Sequence, residues 1–261
     1  MDNNEAALHN LRAMLRTLGR FPASGYSDEI RGLTLYDGGV DEPFENYALL
    51  DPACREYDTD KQAGDIVIAA FDFFARTGRP HHWPIFPGVP DRVCLALEER
   101  GMMRDHDFTA MAADLSGTNP KEGSLDLVSG PLRDENSARE WAECVWFGFD
   151  SDDPPPEMFA SLAVNMAGCD DISLLHIAGE ATGLLCAAED SAGIYYIATM
   201  PASRGKGLGG TVVEALKLTA SHAGFDKLTL LATPAGHPLY LKHGFRDAGI
   251  VKIYRSPDKN P

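Results

Sequence analysis

A strand, a glycine-rich turn and a helix follow one another directly between Ile197 and His222. Residues 205–210 read Gly-Lys-Gly-Leu-Gly-Gly, so four of the six positions carry no side chain. A helix that begins at Leu208 leaves its first N–H groups without intrahelical partners and points the positive end of its dipole at the turn. This arrangement is typical of a phosphate-binding site in an α/β unit. Arg204 and Lys206 add two cations that can pair with phosphate oxygens.

Two common phosphate-binding patterns fit this turn poorly. Gly205, Gly207 and Gly210 satisfy the dinucleotide pattern G-x-G-x-x-G. A dinucleotide fold needs several further strands, whereas only about fifty residues follow, and the next strand (227–233) ends without an acidic residue for a ribose. A Walker-type nucleotide loop needs Ser or Thr after Gly-Lys, and here Lys206 is followed by glycine. A dehydrogenase therefore stays only a distant alternative.

The third pattern is R-x-x-G-x-G, which Arg204, Gly207 and Gly209 satisfy. In this pattern the chain resembles the GNAT superfamily of acyl-CoA-dependent N-acetyltransferases. The resemblance implies that the turn holds the pyrophosphate of coenzyme A, while the preceding strand pairs with the pantetheine arm and turns one N–H toward the thioester oxygen. The cofactor-binding residues implied in this way are Ile197, Ala198, Thr199, Arg204, Gly205, Lys206, Gly207, Leu208, Gly209 and Gly210.

A second segment supports the same resemblance. Residues 239–245 read Leu-Tyr-Leu-Lys-His-Gly-Phe and look like the Y-x-x-x-G-F segment of the family, a short helix closed by glycine and followed by a strand. In the family, the tyrosine lies near the coenzyme sulfur and can protonate the leaving thiolate. The resemblance therefore implies that Tyr240 is the general acid. Family members also often splay the fourth and fifth strands apart to admit pantetheine, which here implies a cleft between the strand ending at Thr199 and the strand 228–233.

The general base is left open by the sequence. Where family members carry a glutamate early on the fourth strand, this chain reads Ala192-Gly193-Ile194. The alternatives are a water chain, His176 on another strand, or the Glu189-Asp190 turn. Tyr195 and Tyr196 are expected to face opposite sides of their strand, so that one lines the acceptor pocket and the other lies in the core.

The two halves of the chain follow a similar plan. The second half predicts a strand at 125–129, two helices, three strands joined by tight turns, and the helix that follows the glycine-rich turn. The first half predicts helices over 65–76 and 90–100 around a strand at 82–86, and aligning Gly101 with Gly244 places Leu97 where Tyr240 stands. The segment before its first helix is acidic and holds one glycine, so it cannot bind a pyrophosphate.

The predicted fold class is therefore α/β (α+β): a mixed, mostly antiparallel GNAT sheet flanked by helices, in two tandem domains. Residues 1–122 form a degenerate domain and residues 123–261 the catalytic one, with the boundary in the segment 116–123. Leu8, Leu11, Leu15 and Leu18 make one apolar stripe on a leading helix, which we expect to pack in a core.

The charge and cysteine content of the chain limit the ligands and partners that it is expected to bind. A net charge of −16 disfavours nucleic acids and anionic membranes. The five cysteines show no paired or metal-ligand spacing, which predicts reduced thiols, a cytoplasmic location and no bound metal. No signal peptide or membrane-spanning run is visible. The expected function is transfer of an acetyl group from acetyl-CoA to a primary amine of a small molecule or a protein. The alternative is an acyl-CoA-binding module without turnover. Acceptor, acyl-chain preference and oligomeric state are not readable.

Overall fold

The structure is a computed structural model that describes residues 1–21, 26–54, 57–116, 126–188 and 191–257. Its helices are α1 (Asn3–Leu18), α2 (Asp60–Ala75), α3 (Asp91–Glu98), α4 (Glu135–Gly148), α5 (Glu157–Ala167), α6 (Leu208–His222) and α7 (His237–Lys242). Its strands are β1 (Tyr26–Ile30), β2 (Leu33–Asp37), β3 (Asn46–Leu50), β4 (His82–Ile85), β5 (Met103–Arg104), β6 (Phe108–Asp114), β7 (Ile172–Ile177), β8 (Ala181–Ala188), β9 (Ser191–Thr199), β10 (Lys227–Ala232) and β11 (Arg246–Arg255). None of the helices in these ranges is long and apolar enough to cross a membrane.

The chain divides into two compact units whose sequence ranges interleave. The first unit contains Met1–Leu11 and Ala110–Ala248, and the second contains Arg12–Thr109 and Gly249–Pro261. Helix α1 and strand β11 therefore each begin in the first unit and end in the second. The boundary predicted between residues 122 and 123 lies outside the described residues and stays a prediction.

The first unit is built around an antiparallel meander of β7, β8 and β9. Helix α6 then returns the chain to β10, which pairs with β9 in parallel, as a helical crossover between neighbouring strands requires. Helix α7 and the beginning of β11 follow. The apolar stripe of α6, including Val212 and Leu216, packs on Ile194 of β9 and Leu230 of β10 in one hydrophobic cluster. Helix α4 contacts the same sheet through β7, β8 and β9.

The second unit repeats this plan. Strands β1, β2 and β3 form an antiparallel meander, α2 crosses to β4, and β4 is parallel to β3. Helix α3 and β5 follow, where α7 and β11 follow in the first unit. The repeat extends to the helix ends: the N–H of Met102 donates to Leu97 O, and the N–H of Phe245 donates to Tyr240 O, both at 3.1 Å. The predicted mixed, mostly antiparallel sheet flanked by helices is confirmed, and the two units share one order of elements. The matching hydrogen bonds give Leu97 and Tyr240 equivalent places in that order.

Several local predictions differ from the structure. The strand expected at 125–129 is, in its described part, only a single bridge between Ser129 and His176. Strands β1, β2, β3, β5 and β6 have no counterpart among the predicted strands. They are only two to seven residues long, and such short segments carry little periodic signal. In β2 all five positions are buried although Thr34 and Asp37 are polar. Helix α2 begins five residues earlier than predicted, at Asp60.

The predicted core residues behave as expected where the structure describes them. The four leucines of the α1 stripe are each 3 % exposed or less. The five cysteines are all free thiols. Burial raises the pKa of the Cys144 thiol to about 11 and that of Cys186 to about 12, which makes both poor nucleophiles at neutral pH.

Candidate active site

The glycine-rich turn between β9 and α6 has an open backbone. Gly205 and Gly207 adopt left-handed φ angles of +78° and +83°, and nothing lies within 4 Å of where a Cβ would stand on either. Glycine is therefore required there by backbone conformation and not by crowding. In the part of the chain that the structure describes, the N–H groups of residues 205–210 have no hydrogen-bond acceptor. Six consecutive donors at a helix N-terminus form an anion-binding surface.

The equivalent helix of the second unit is closed by its own side chains. Thr59 is the N-cap of α2 and accepts a hydrogen bond from the N–H of Gln62, while the Gln62 side chain accepts from the N–H of Thr59. This capping box occupies donors that a ligand would need. The N-cap of α6 is Gly207, which makes no side-chain cap. Of the two corresponding helices, only α6 keeps an open N-terminus.

The two cations of the turn are engaged by protein acceptors. The Arg204 guanidinium donates to Gly148 O at 2.8 Å and Thr199 O at 3.3 Å, and it pairs with Asp150 at 2.7 Å. Lys206 Nζ lies 3.3 Å from Glu180 Oε1. Because these side chains are about half exposed, the ion pairs are weak and an anionic ligand can compete for them. Through its bonds to Thr199 O and Gly148 O, Arg204 connects the end of β9 to the end of α4.

Strands β9 and β10 pair only near the start of each strand. The two strands pair at only two positions, Leu228 with Ala192 and Thr229 with Gly193. Strand β9 continues to Thr199 and β10 to Ala232 without further pairing between them. Among the described residues, the main-chain groups of β9 that face this side beyond Gly193 therefore have no paired partner in β10.

A β-bulge in β9 explains the divergence. Thr182 pairs with Ala198 and Leu184 with Tyr195, so that Tyr196 and Ile197 together oppose Gly183. Such a bulge bends its strand and increases the local twist. The irregular main chain is satisfied by side chains: Trp141 Nε1 donates to Gly183 O at 3.2 Å, and Thr182 Oγ1 donates to Tyr196 O at 3.2 Å.

The bulge also corrects the prediction for the two tyrosines. Tyr196 has a φ of +51° and packs edge-on against Trp141 and Phe159 of α4 and α5. Tyr195 donates its phenolic hydrogen to Asn10 Oδ1 at 2.8 Å. A Cβ on Gly193 would meet Asn10 and the Tyr195 hydroxyl, whereas the neighbouring Ala192 and Ile194 pack with α6, so Tyr195 lies on the face opposite α6. Gly183 faces α6 and the adjacent Thr182 contacts Cys144 of α4, so α4 covers that same opposite face and both tyrosines lie on it. The expected alternation is wrong because the bulge inserts one residue between them.

Two further glycines let neighbouring elements approach the turn. A Cβ on Gly209 would stand 3.3 Å from Thr199 Oγ1 and 3.7 Å from Leu239 Cδ2, so this position is where β9, α6 and α7 meet. A Cβ on Gly210 would stand 2.6 Å from His243 Nε2. Gly210 therefore makes room for an imidazole from α7, which explains the third glycine of the dinucleotide-like pattern without a dinucleotide.

Tyr240 lies on α7 beside this meeting point. The side chain is 8 % exposed and its ring packs edge-on against Phe245, with 5.8 Å between centroids. Among the described residues its hydroxyl has no hydrogen-bond partner. Burial raises the pKa of Tyr240 well above its usual value. The phenol is therefore protonated throughout the neutral range.

Of the candidate bases on side chains, the structure describes only His176. His176 is 5 % exposed and stands two strands from β9, in the row His176–Thr182–Ala198. Burial lowers its pKa, although Glu140 and Asp134 oppose this, so the imidazole is neutral at pH 7. Glu189 and Asp190 lie outside the described residues. Within the described ranges, no three His, Cys, Asp or Glu side chains are placed to hold a metal ion.

Comparison with known proteins identifies the fold. Residues 171–247 match the family model described as an acetyltransferase (GNAT) domain. A GCN5-related N-acetyltransferase from Kribbella flavida is 17% identical, with a TM-score of 0.63 over 97% of this chain and 96% of its own. A second, from Sphaerobacter thermophilus, is 14% identical, with a TM-score of 0.62 over 98% of this chain and 92% of its own. A search of curated proteins finds no match.

A tandem GNAT protein from the clavulanic acid biosynthesis pathway is also similar. It is 14% identical, with a TM-score of 0.54 over 88% of this chain and 79% of its own. At such identities the likeness concerns the fold alone. The three structural matches cover 88% to 98% of this chain. The family model covers only the segment from just before β7 to the start of β11. That segment contains the open turn and Tyr240.

Proposed function

We propose that this chain, whose residues 171–247 match the GNAT acetyltransferase model, moves an acetyl group from acetyl-CoA to a primary amine. The family and fold support an acyltransferase in general. The choice of coenzyme rests on one observation, the row of unpartnered N–H groups over residues 205–210 at the start of α6. A diphosphate offers several acceptor oxygens and negative charge to these donors and to the helix dipole.

The proposed placement of the coenzyme follows from the elements around the turn. With the pyrophosphate on residues 205–210, the pantetheine arm extends into the cleft between β9 and β10, where Ile197, Ala198 and Thr199 offer main-chain hydrogen bonds. The thioester then comes to lie near the N-terminal end of α7, which carries Tyr240. Arg204 and Lys206 sit beside the phosphates and exchange part of their pairing with Asp150 and Glu180 for the ligand.

The proposed chemistry is direct transfer. The neutral amine nitrogen attacks the thioester carbon, a C–N bond forms, the C–S bond breaks, and the amine proton leaves to a base or to water. The sulfur departs as a thiolate, which Tyr240 stabilises. Burial raises the pKa of the Tyr240 phenol, so the phenol holds its proton more tightly than an exposed tyrosine does. We therefore assign Tyr240 mainly as a hydrogen-bond donor to the sulfur, and net protonation of the thiolate is completed from solvent.

The base and the acceptor remain parts of the proposal with open alternatives. A water chain accords best with the geometry, because His176 lies two strands from β9 and packs toward α4. A small amine or a protein N-terminus can serve as the acceptor. The free cysteines favour a reducing compartment such as the cytoplasm. Residues 1–122 and 123–261 remain our proposed degenerate and catalytic domains, and in the first of them α2, the counterpart of α6, is capped by Thr59.

A second candidate function is an acyl-CoA-binding module without turnover. It is favoured by the start of β9, where Gly193 stands in place of a carboxylate and a Cβ would lie within 2 Å of the buried Asn10 side chain. No acid can replace that glycine without displacing α1. The open turn would then serve binding only.

One experiment separates the two. Coenzyme A binding is measured by calorimetry, and thiol release from acetyl-CoA is followed with a chromogenic disulfide across a panel of small amines and peptide N-termini. Binding with thiol release supports the enzyme. Binding without release from any acceptor supports the module, and no binding contradicts both. A nicotinamide dinucleotide is the control ligand, and stabilisation by it would revive the dehydrogenase.

A further inference from the structure

A cluster of three ionisable side chains joins α6 to α7 in the first unit. His243 Nδ1 lies 2.7 Å from Glu214 Oε1. Lys217 Nζ donates to both oxygens of Glu214, at 3.2 and 3.3 Å, and to His243 O at 3.0 Å. Gly210, Glu214 and Lys217 follow one another on α6 at intervals of four and three residues, so they share one face of the helix. On this face Gly210 leaves space for the His243 ring, and Glu214 and Lys217 contact His243.

The main chain of His243 is hydrogen-bonded to that of Tyr240. His243 is the C-cap of α7, and its N–H donates to Tyr240 O at 3.0 Å. The Lys217 ammonium lies against the carboxyl end of the helix, where a cation satisfies free carbonyls and opposes the helix dipole. Helix α7 has only six residues, and helices of this length have little stability of their own. Its position therefore depends on tertiary anchors.

Comparison of the two units shows that the fold does not need these anchors. Aligning the N-caps Thr59 and Gly207 puts Ile66 at the position of Glu214 and Ala69 at that of Lys217. Aligning the helix-closing glycines puts the exposed Arg100 at the position of His243. The contact between α2 and α3 is thus built without this cluster. The polar version is found in the unit that also has the open turn.

We propose that Glu214, Lys217 and His243 are positioning residues that hold Tyr240 in register with the open turn of α6. The same helix whose first turn offers its N–H groups to a ligand carries Glu214 and Lys217 one and two turns later. Any displacement of the α6 N-terminus is passed to α7 through them. The inference rests on the proposed function only for its kinetic consequence, because the structural coupling exists without coenzyme.

The structural test follows the Tyr240 ring directly. The protein is labelled with 3-fluorotyrosine, and the fluorine resonance of Tyr240 is assigned by its loss in Tyr240→Phe. We expect Glu214→Ala and Lys217→Met to shift or broaden that resonance in the free protein and to abolish its response to coenzyme A. Glu214→Gln keeps an acceptor for His243 Nδ1 and restores the wild-type resonance. Glu98→Ala, which removes a carboxylate bonded to Tyr254 in the second unit, is the matched control without effect.

The kinetic test uses acetyl-CoA and the acceptor found in the amine panel. A misplacement of about 1 Å costs about 100-fold in rate, so we expect kcat to fall about 10- to 100-fold in Glu214→Ala. The calorimetric Kd for coenzyme A should change by less than about threefold, since the donors of residues 205–210 are untouched. An unchanged Tyr240 resonance in Glu214→Ala, or equal damage from the Gln and Ala variants, overturns the positioning role. Failure of coenzyme A to bind the wild type overturns the proposed function instead.

Discussion

Two substitutions at Gly207 test whether the open turn binds a phosphate. They differ in charge but hardly in shape. Asn and Asp tolerate the left-handed region better than other side chains, and nothing lies within 4 Å of the position that a Cβ on Gly207 would take. Gly207→Asp and Gly207→Asn therefore share one backbone cost and nearly one shape. Only the aspartate places a negative charge beside the donors of residues 205–210.

The expected difference follows from Coulomb's law. A carboxylate about 5 Å from one phosphate charge, at an effective dielectric constant of about 20, raises the binding free energy by about 3 kcal/mol. This corresponds to about 200-fold weaker coenzyme A binding by the Asp variant than by the Asn variant. Folding responds in the opposite sense, because an acidic residue at a helix N-terminus stabilises the helix by about 0.3–1 kcal/mol.

The assay is calorimetric titration of coenzyme A into the wild type and both variants at about 0.1 M salt, where the Debye length is about 10 Å. Thermal unfolding of the same samples checks that the Asp variant melts no lower than the Asn variant. If the two variants bind coenzyme A with affinities within about threefold of each other, no phosphate lies on this turn and the reasoning from the open N–H groups is refuted.

Three further predictions concern single side chains. Tyr240→Phe should lower kcat about 100-fold with little change in the Kd of acetyl-CoA, measured by stopped assay and calorimetry, and a loss seen only in Kd would contradict the donor role. In the second unit, burial lowers the pKa of His81 to about 4. The unfolded chain therefore binds the proton first as the pH falls below about 6.5, so stability is lost between that pH and about 4, and His81 alone should remove about 2 kcal/mol by pH 5. Urea unfolding at pH 7 and pH 5 measures the loss, which His81→Phe should reduce by about 2 kcal/mol, because the buried ring stacks on Phe74 and a phenyl ring keeps that contact. The loss due to His82, whose pKa burial also lowers to about 4, should remain. Gly183→Ala should destabilise the first unit by about 1–3 kcal/mol, since its Cβ would meet three side chains of the core at 2.7 to 2.8 Å, and unchanged urea unfolding would show that the bulge can relax.

Local sequence predicted those parts of the site that depend on local physics. The bounds of α6 follow from the glycines before it and Gly224 after it, and the left-handed φ of Gly205 and Gly207 follows from their lack of a side chain. The remaining features depend on distant residues. Gly210 is a glycine because of His243, thirty-three positions later, and the two tyrosines share a face because of a bulge opposite Gly183. No periodicity within one segment carries that information.

Contacts with distant residues also determine the partners of the two cations and the position of the N-terminal helix, and local sequence does not show them. The sequence predicts Arg204 and Lys206 as phosphate ligands and does not show their protein partners. In the fold, Arg204 contacts Asp150 and the carbonyl of Gly148, and Lys206 contacts Glu180. The stripe of α1 correctly predicted a buried helix, but a stripe cannot say which core it enters. Asn10 settles this for the first three turns, because its amide bonds three residues of the β8–β9 hairpin more than 170 positions away.

The two units together separate what the fold requires from what a ligand requires. Both contain a meander, a crossover helix and a parallel strand, so this plan is compatible with a helix start capped by Thr59 and equally with one left open at Gly207. A capping side chain stabilises a helix by about 1 kcal/mol, and each glycine adds unfolded-state entropy that opposes folding. The open start of α6 is therefore the less stable solution to the same structural problem. The second unit shows that the capped solution was available. Under the proposed function, a bound diphosphate completes the hydrogen bonds of residues 205–210 and offsets the lost stability. Replacing Thr59 by glycine should then weaken the second unit without creating a coenzyme site.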